Sequence, residues 1–194
     1  MVMVESTMLA LGTKAPAFDL TDVVSGKSIT LETFEGKKAL LVMFICVHCP
    51  FVKHVEQELE KIGHDYLEQG LGIVAISSNS VETHPQDAPE YMQTQAETQG
   101  FSFPYCYDDT QAVAKAYTAA CTPDFFLFDG NLQLAYRGQL DDSRPSNGKP
   151  VTGKDLRAAI DTALKGQALS EDQMPSVGCN IKWIPGQAPA YFGA

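Results

Sequence analysis

Positive charge is scarce in this sequence. Its 194 residues include 14 Lys and Arg against 24 Asp and Glu, a formal net charge of −10. The basic residues are spread thinly, so they build no cationic face of the kind that phosphate backbones or anionic lipids require, and nucleic-acid binding is not expected. Long hydrophobic runs are missing too. None approaches the roughly 20 apolar residues of a membrane-crossing helix, so no membrane association is expected. Met1 to Leu11 holds Glu5, no basic residue and an apolar part too short for a signal peptide, which makes the expected setting cytoplasmic. Repeats and low-complexity tracts are absent. The apolar share of 44% is that of an ordinary globular protein, and the length suits one domain over 1–194.

Cysteine is used sparingly. Five cysteines, an odd number, do not make a structural disulfide framework. Two of them lie close together in Cys46-Val47-His48-Cys49-Pro50. No second CxxC and no HxxxH accompanies the pair, which speaks against zinc, and Pro50 stands where haem attachment needs a histidine. No metal and no cofactor is expected. The run Ala39 to Ile45 is branched and continuously apolar, as in a strand buried on both faces. After it Phe51, Val55, Leu59, Ile62 and Tyr66 recur at helical spacing. The pair thus sits at a strand-to-helix junction, where free N–H groups and the helix dipole favour a thiolate. In that place it reads as a dithiol redox site. Cys46 is expected at the exposed start of the turn as the attacking thiolate, with Cys49 resolving the mixed disulfide. A protonated His48 is expected to stabilise the Cys46 thiolate.

The remaining elements alternate between strand and helix, which predicts an α/β domain with a central sheet and helices on both faces. Residues 18–20 and 27–30 read as an N-terminal hairpin extension, and 71–77 as a strand parallel to the first. A polar loop spans 78–90. Helices are predicted over 91–99, 111–117 and 155–164, with a short edge element over 103–107. Strands 124–128 and 132–136 flank Asp129-Gly130-Asn131, a hairpin signal. From 167 to 194 prolines recur without a period, which predicts an irregular tail wrapping the domain.

A CxxC after a buried strand, followed much later by Thr122-Pro123 opening the closing hairpin, resembles the thioredoxin fold. That resemblance implies a central mixed sheet, a cis Pro123 facing the dithiol, and a Thr122 backbone that pairs with an extended substrate segment. Within this superfamily, Gly12 to Leu20, Gly26-Lys27, Leu31, Phe34 to Lys38 and Phe44-Ile45-Cys46 resemble the peroxiredoxin-like AhpC/TSA branch. Cys46 to Val52, Cys121 to Asp129, Tyr136-Arg137-Gly138, Leu140-Asp141-Asp142 and Gly178 to Trp183 resemble an uncharacterised CxHCP subgroup of it. Two features of those families are replaced. Neither alignment to a P-x-x-x-T-x-x-C segment restores the peroxide-orienting Thr hydroxyl, since Cys46 or Met43 stands there, and Leu40 takes the place of the buried carboxylate of thioredoxins.

The resemblance implies a thiol-disulfide oxidoreductase acting on a protein or a small thiol. A thiol peroxidase, and a redox-sensing or metal-binding module, are the alternatives. Two further thiols bear on the site. Cys121 lies two residues before Pro123 and is expected as a buried thiol near the dithiol, while Cys179, in the tail beside Trp183, could fold over the site as an alternative resolving thiol.

Overall fold

The structure, a computed structural model, describes residues 3–192. In chain order these run through β1 (Met3–Glu5), a hairpin of β2 (Asp19–Thr21) and β3 (Ser28–Thr30), β4 (Ala39–Phe44), α1 (Pro50–Tyr66) and β5 (Leu71–Ser77). There follow α2 (Pro89–Gln99), β6 (Tyr105–Tyr107), α3 (Ala112–Ala116), β7 (Cys121–Thr122), β8 (Asp124–Asp129), β9 (Leu134–Arg137), α4 (Lys154–Leu164) and β10 (Val177–Asn180). Both α1 and α2 open on proline, whose missing N–H costs nothing in a first turn. Gly100 closes α2 in the left-handed conformation, at φ 75°.

Five strands form the central sheet in the order β6-β5-β4-β8-β9, with β4 parallel to β5, β5 parallel to β6, and β8 antiparallel to both β4 and β9. Every residue of β4 and β5 is buried, so their apolar runs carry no alternation. Alternation reappears in which face each side chain covers. Leu41 and Met43 pack with Val52, Val55 and Leu59 of α1, Met92 of α2 and Leu156 and Ile160 of α4. Leu40, Val42 and Phe44 pack with Val113 of α3, Tyr117, Ile29 of the hairpin and Ile181 and Trp183 of the tail. Helices therefore cover both faces, and the polypeptide leaves β4 and β5 at the same end of the sheet, where open α/β sheets place their sites.

The hairpin at Asp129 forms, but its second strand starts later than predicted. Leu132 takes a left-handed φ of 57°, and the Asp129 carboxylate accepts the N–H groups of Asn131 and Gln133.

The tail departs from expectation. Residues 177–180 are a strand, and β1-β10-β7 make a second, three-stranded antiparallel sheet. Val-Gly-Cys-Asn carries no strand period and includes two residues that strands disfavour. Pairing partners on both sides create the strand, and neither partner is visible in the local sequence. Its glycine is required. A Cβ on Gly178 would lie 2.1 Å from the Thr122 carbonyl oxygen. Downstream, Ile181 and Trp183 are buried, each contributing roughly 1.5–3 kcal/mol through the apolar area it removes from water.

Candidate functional site

Cys46 lies two residues past the end of β4, and Cys49 is the residue that caps the N-terminus of α1. The Thr122-Pro123 peptide between β7 and β8 is cis and faces both thiols. Thr122 Oγ1 is 3.4 Å from Cys46 Sγ, and the Thr122 carbonyl oxygen is 3.2 Å from Cys49 Sγ. The structure thus assembles Cys46, Cys49, Thr122 and Pro123 from segments more than 70 residues apart.

Neither thiol lies open. Cys46 and Cys49 are both fully buried, which corrects the expectation of an exposed Cys46. The polar loop after β5 is responsible. Asp87 in that loop accepts the N–H groups of Val47 and His48 on one oxygen, each at 3.0 Å, and faces His48 Nδ1 at 2.5 Å and Asn79 Nδ2 at 2.8 Å with the other. Asn79 Oδ1 accepts the N–H of Lys182, and the Ser80 N–H donates to the Lys182 carbonyl, so loop and tail are stitched together over the turn. The His84 ring stacks on His48 at 5.0 Å.

His48 does lie beside Cys46, with Nδ1 3.9 Å from its Sγ. The carboxylate behind it was not legible, because nothing in the His84-Pro85-Gln86-Asp87 segment marks Asp87 as buried. Burial opposes charge on Asp87, yet the donors of His48 and Asn79 hold its carboxyl below the usual range. That fixed negative charge acts on the thiol. Burial, the neighbouring Cys49 and the charge of Asp87 together push Cys46 well above the ordinary thiol pKa, with the Thr122 hydroxyl acting the other way.

Cys49 has the opposite surroundings. Its sulfur lies 2.8 Å from Cys179 Sγ; that close contact holds Cys49 below the ordinary range, while the same contact and burial push Cys179 up. Position at the helix N-terminus acts in the same direction on Cys49. The surroundings thus shift the two thiols in opposite directions, Cys46 up and Cys49 down, whereas the sequence predicts the thiolate at Cys46. Position relative to the helix misses the carboxylate on one side and the third thiol on the other.

The remaining predicted residues are placed as follows. Cys121 is buried and pushed up by burial and by Asp124; its Sγ lies 3.5 Å from the Pro123 carbonyl oxygen, away from the dithiol contacts. The Thr122 backbone is already paired, with Cys179 directly opposite it in the β7-β10 register. This corrects the expectation of an edge open to a substrate segment, because the molecule's own tail satisfies those backbone groups. Cys46 Sγ, a His48 ring nitrogen and an Asp87 oxygen lie within 4.8 Å of one another, a donor set able to hold a divalent cation. A cation there would have to displace the His48–Asp87 bond and compete with the three other donors on Asp87. No helix among the described residues is long and apolar enough to cross a membrane.

Residues 11–137 match the AhpC/TSA family model. An uncharacterised conserved protein from Geobacillus kaustophilus is 55% identical, with a TM-score of 0.93 over 95% of this chain and 98% of that one. The thiol-disulfide oxidoreductase ResA of the same organism is 32% identical over 66% of this chain and 68% of its own length. A Mycobacterium tuberculosis protein that bears a provisional peroxiredoxin name is 30% identical over 60% of this chain and 69% of its own. Two solved thioredoxin-type structures, at 21% and 19% identity, share the fold with TM-scores of 0.60 and 0.63. A dithiol turn at the end of a central strand, opposed by a cis-proline and carried on this sheet order, agrees with those matches: the chain has the thioredoxin fold and belongs to the AhpC/TSA family.

Proposed function

We propose that the protein is a thiol-disulfide oxidoreductase that exchanges disulfides with a protein or small-molecule thiol partner through Cys46 and Cys49. The observation that carries this reading is the contact of Thr122, beside cis Pro123, with both sulfurs at 3.4 and 3.2 Å. Cys46, as thiolate, attacks a sulfur of the partner disulfide, forming a mixed disulfide and releasing one partner thiolate. Cys49 then attacks Cys46 Sγ and releases the second. The partner gains two electrons and the protein keeps the Cys46–Cys49 disulfide. Asp87 and His48 set the readiness of the first step, since a proton on His48 offsets the carboxylate charge beside the thiol.

Equilibration against a glutathione redox buffer tests the reading. A reversible two-electron couple that disappears in both Cys46→Ser and Cys49→Ser supports it; an unchanged titration in Cys46→Ser overturns it.

One observation favours peroxide as the oxidant. The Thr122 hydroxyl stands 3.4 Å from Cys46 Sγ, so the fold supplies from another element the hydroxyl that the local sequence lacks, and full burial of Cys46 suits a small oxidant. The Cys46 thiolate would attack one peroxide oxygen, breaking the O–O bond to give a sulfenic acid and release the other oxygen as water, and Cys49 would then displace the sulfenic oxygen as a second water to form the same disulfide. A second-order rate with hydrogen peroxide well above that of free cysteine marks this branch.

A further inference from the structure

We infer that Cys179 is a third working thiol, which takes the disulfide from Cys46–Cys49 onto Cys49–Cys179 and sets Cys46 free again. This inference rests on the dithiol reading above and deepens it.

Three independent features place Cys179 there. First, its sulfur lies 2.8 Å from Cys49 Sγ, closer than either Cys46 contact, to Thr122 Oγ1 at 3.4 Å or His48 Nδ1 at 3.9 Å. Second, the position is built into the backbone. Cys179 pairs with Thr122 between β1 and β7, and the neighbouring Gly178 lets β10 approach the Thr122 carbonyl more closely than any Cβ would allow. The tail therefore occupies the edge beside the cis-proline and presents a cysteine there, as a client strand would. Third, the tail is anchored on the far side of Cys179, where Lys182 bonds Asn79 and Ser80 of the loop that covers Cys46.

The step balances within the molecule. Cys179 gives up its proton and attacks Cys49 Sγ. The Cys49–Cys179 bond forms, the Cys46–Cys49 bond breaks, and Cys46 leaves as a thiolate that takes up a proton. No electron enters or leaves the protein, and no oxidant is required beyond the partner disulfide already reduced. The burial and the Asp87 charge that disfavour a thiolate on Cys46 favour its protonated product. Cys49, the sulfur common to both bonds, lies 2.8 Å from Cys179 Sγ and shares Thr122 as a neighbour with Cys46. The oxidised protein would then carry its oxidation in the interior, with the attacking thiol regenerated.

Disulfide mapping of the intact protein decides this. Wild type is oxidised in glutathione buffer, quenched in acid, denatured, alkylated and mapped by peptide mass spectrometry, alongside Cys179→Ser. The expected result is a Cys49–Cys179 peptide with Cys46 alkylated in wild type. In Cys179→Ser that peptide is replaced by a Cys46–Cys49 link, and Cys46 labelling is lost. Should Cys179→Ser fold poorly, Cys179→Ala takes its place, and the wild-type map stands without either. A wild-type map showing Cys46–Cys49 with Cys179 alkylated overturns the relay and leaves the dithiol reading intact. If Cys46–Cys49 fails to form even in the Cys179 variants, the dithiol reading falls and the relay with it.

Discussion

Asp87 and Asp124 are both completely buried, and they behave in opposite ways. Asp87 sits among the donors of Val47, His48 and Asn79, and its carboxyl is held below the usual range. Asp124, the first residue of β8, accepts a 3.3 Å bond from the Ala120 N–H, and burial pushes it up to about 7 against the weaker pull of the Ser6 hydroxyl and the neighbouring backbone N–H groups. The difference teaches that burial alone does not set the charge of a carboxyl. Donor supply does. Asp87 is a fixed anion that shapes the dithiol turn. Asp124, on the far side of the cis-proline, changes charge near neutrality.

The sharpest break in this contrast is Asp87→Ala, which strands four donors around the turn, three of them half-buried on Val47 and His48 and one buried on Asn79. It is expected to lower stability by about 3–5 kcal/mol, read from denaturant unfolding with the m-value held constant. Loss below 1 kcal/mol would mean the loop is not anchored there.

Asp124→Asn should act the other way, and with pH. A carboxyl raised in the folded state contributes fully to stability below its unfolded pKa of about 4 and loses that contribution as pH rises through about 7. Wild type should therefore match the asparagine variant near pH 4 and fall behind it by a few kcal/mol at pH 8. Parallel pH profiles for the two proteins would remove Asp124 as a titrating group.

Asn79→Ala tests the donor supply itself, since Asn79 gives a hydrogen bond to Asp87 and accepts one from Lys182. A cost of about 1–2 kcal/mol is expected, together with faster alkylation of Cys46 as the covering loop loosens. Unchanged alkylation would dissociate the loop from access to the thiol.

The smallest change is Asp87→Asn, which retains one oxygen acceptor for the two backbone N–H groups and removes the charge. The pH midpoint for Cys46 alkylation should fall, because the nearby negative charge is one of the causes that push that thiol up. A midpoint that rises would assign the controlling charge to His48 instead.

Much of the central sheet was legible because its signals are local. An unbroken apolar run marks β4 and β5, a 3.6 period marks α1, and Asp129-Gly130-Asn131 marks the hairpin. The dithiol turn was legible for the same reason, as Cys46 and Cys49 are neighbours in the chain. Asp87 and Asn79 were not, because a polar loop residue gains its role only from the groups it folds against. β10 escaped likewise, since Val-Gly-Cys-Asn becomes a strand only between β1 and β7.

The sequence by itself determined the sheet's core strands, the helices that cover them and the two thiols at the junction, because hydrophobic period and chain spacing act over a few residues. Only the tertiary structure decided in which direction each thiol is shifted, what buries Cys46, and that Cys179 meets Cys49. Those outcomes depend on distances between segments up to 130 residues apart, and local sequence carries no term for them.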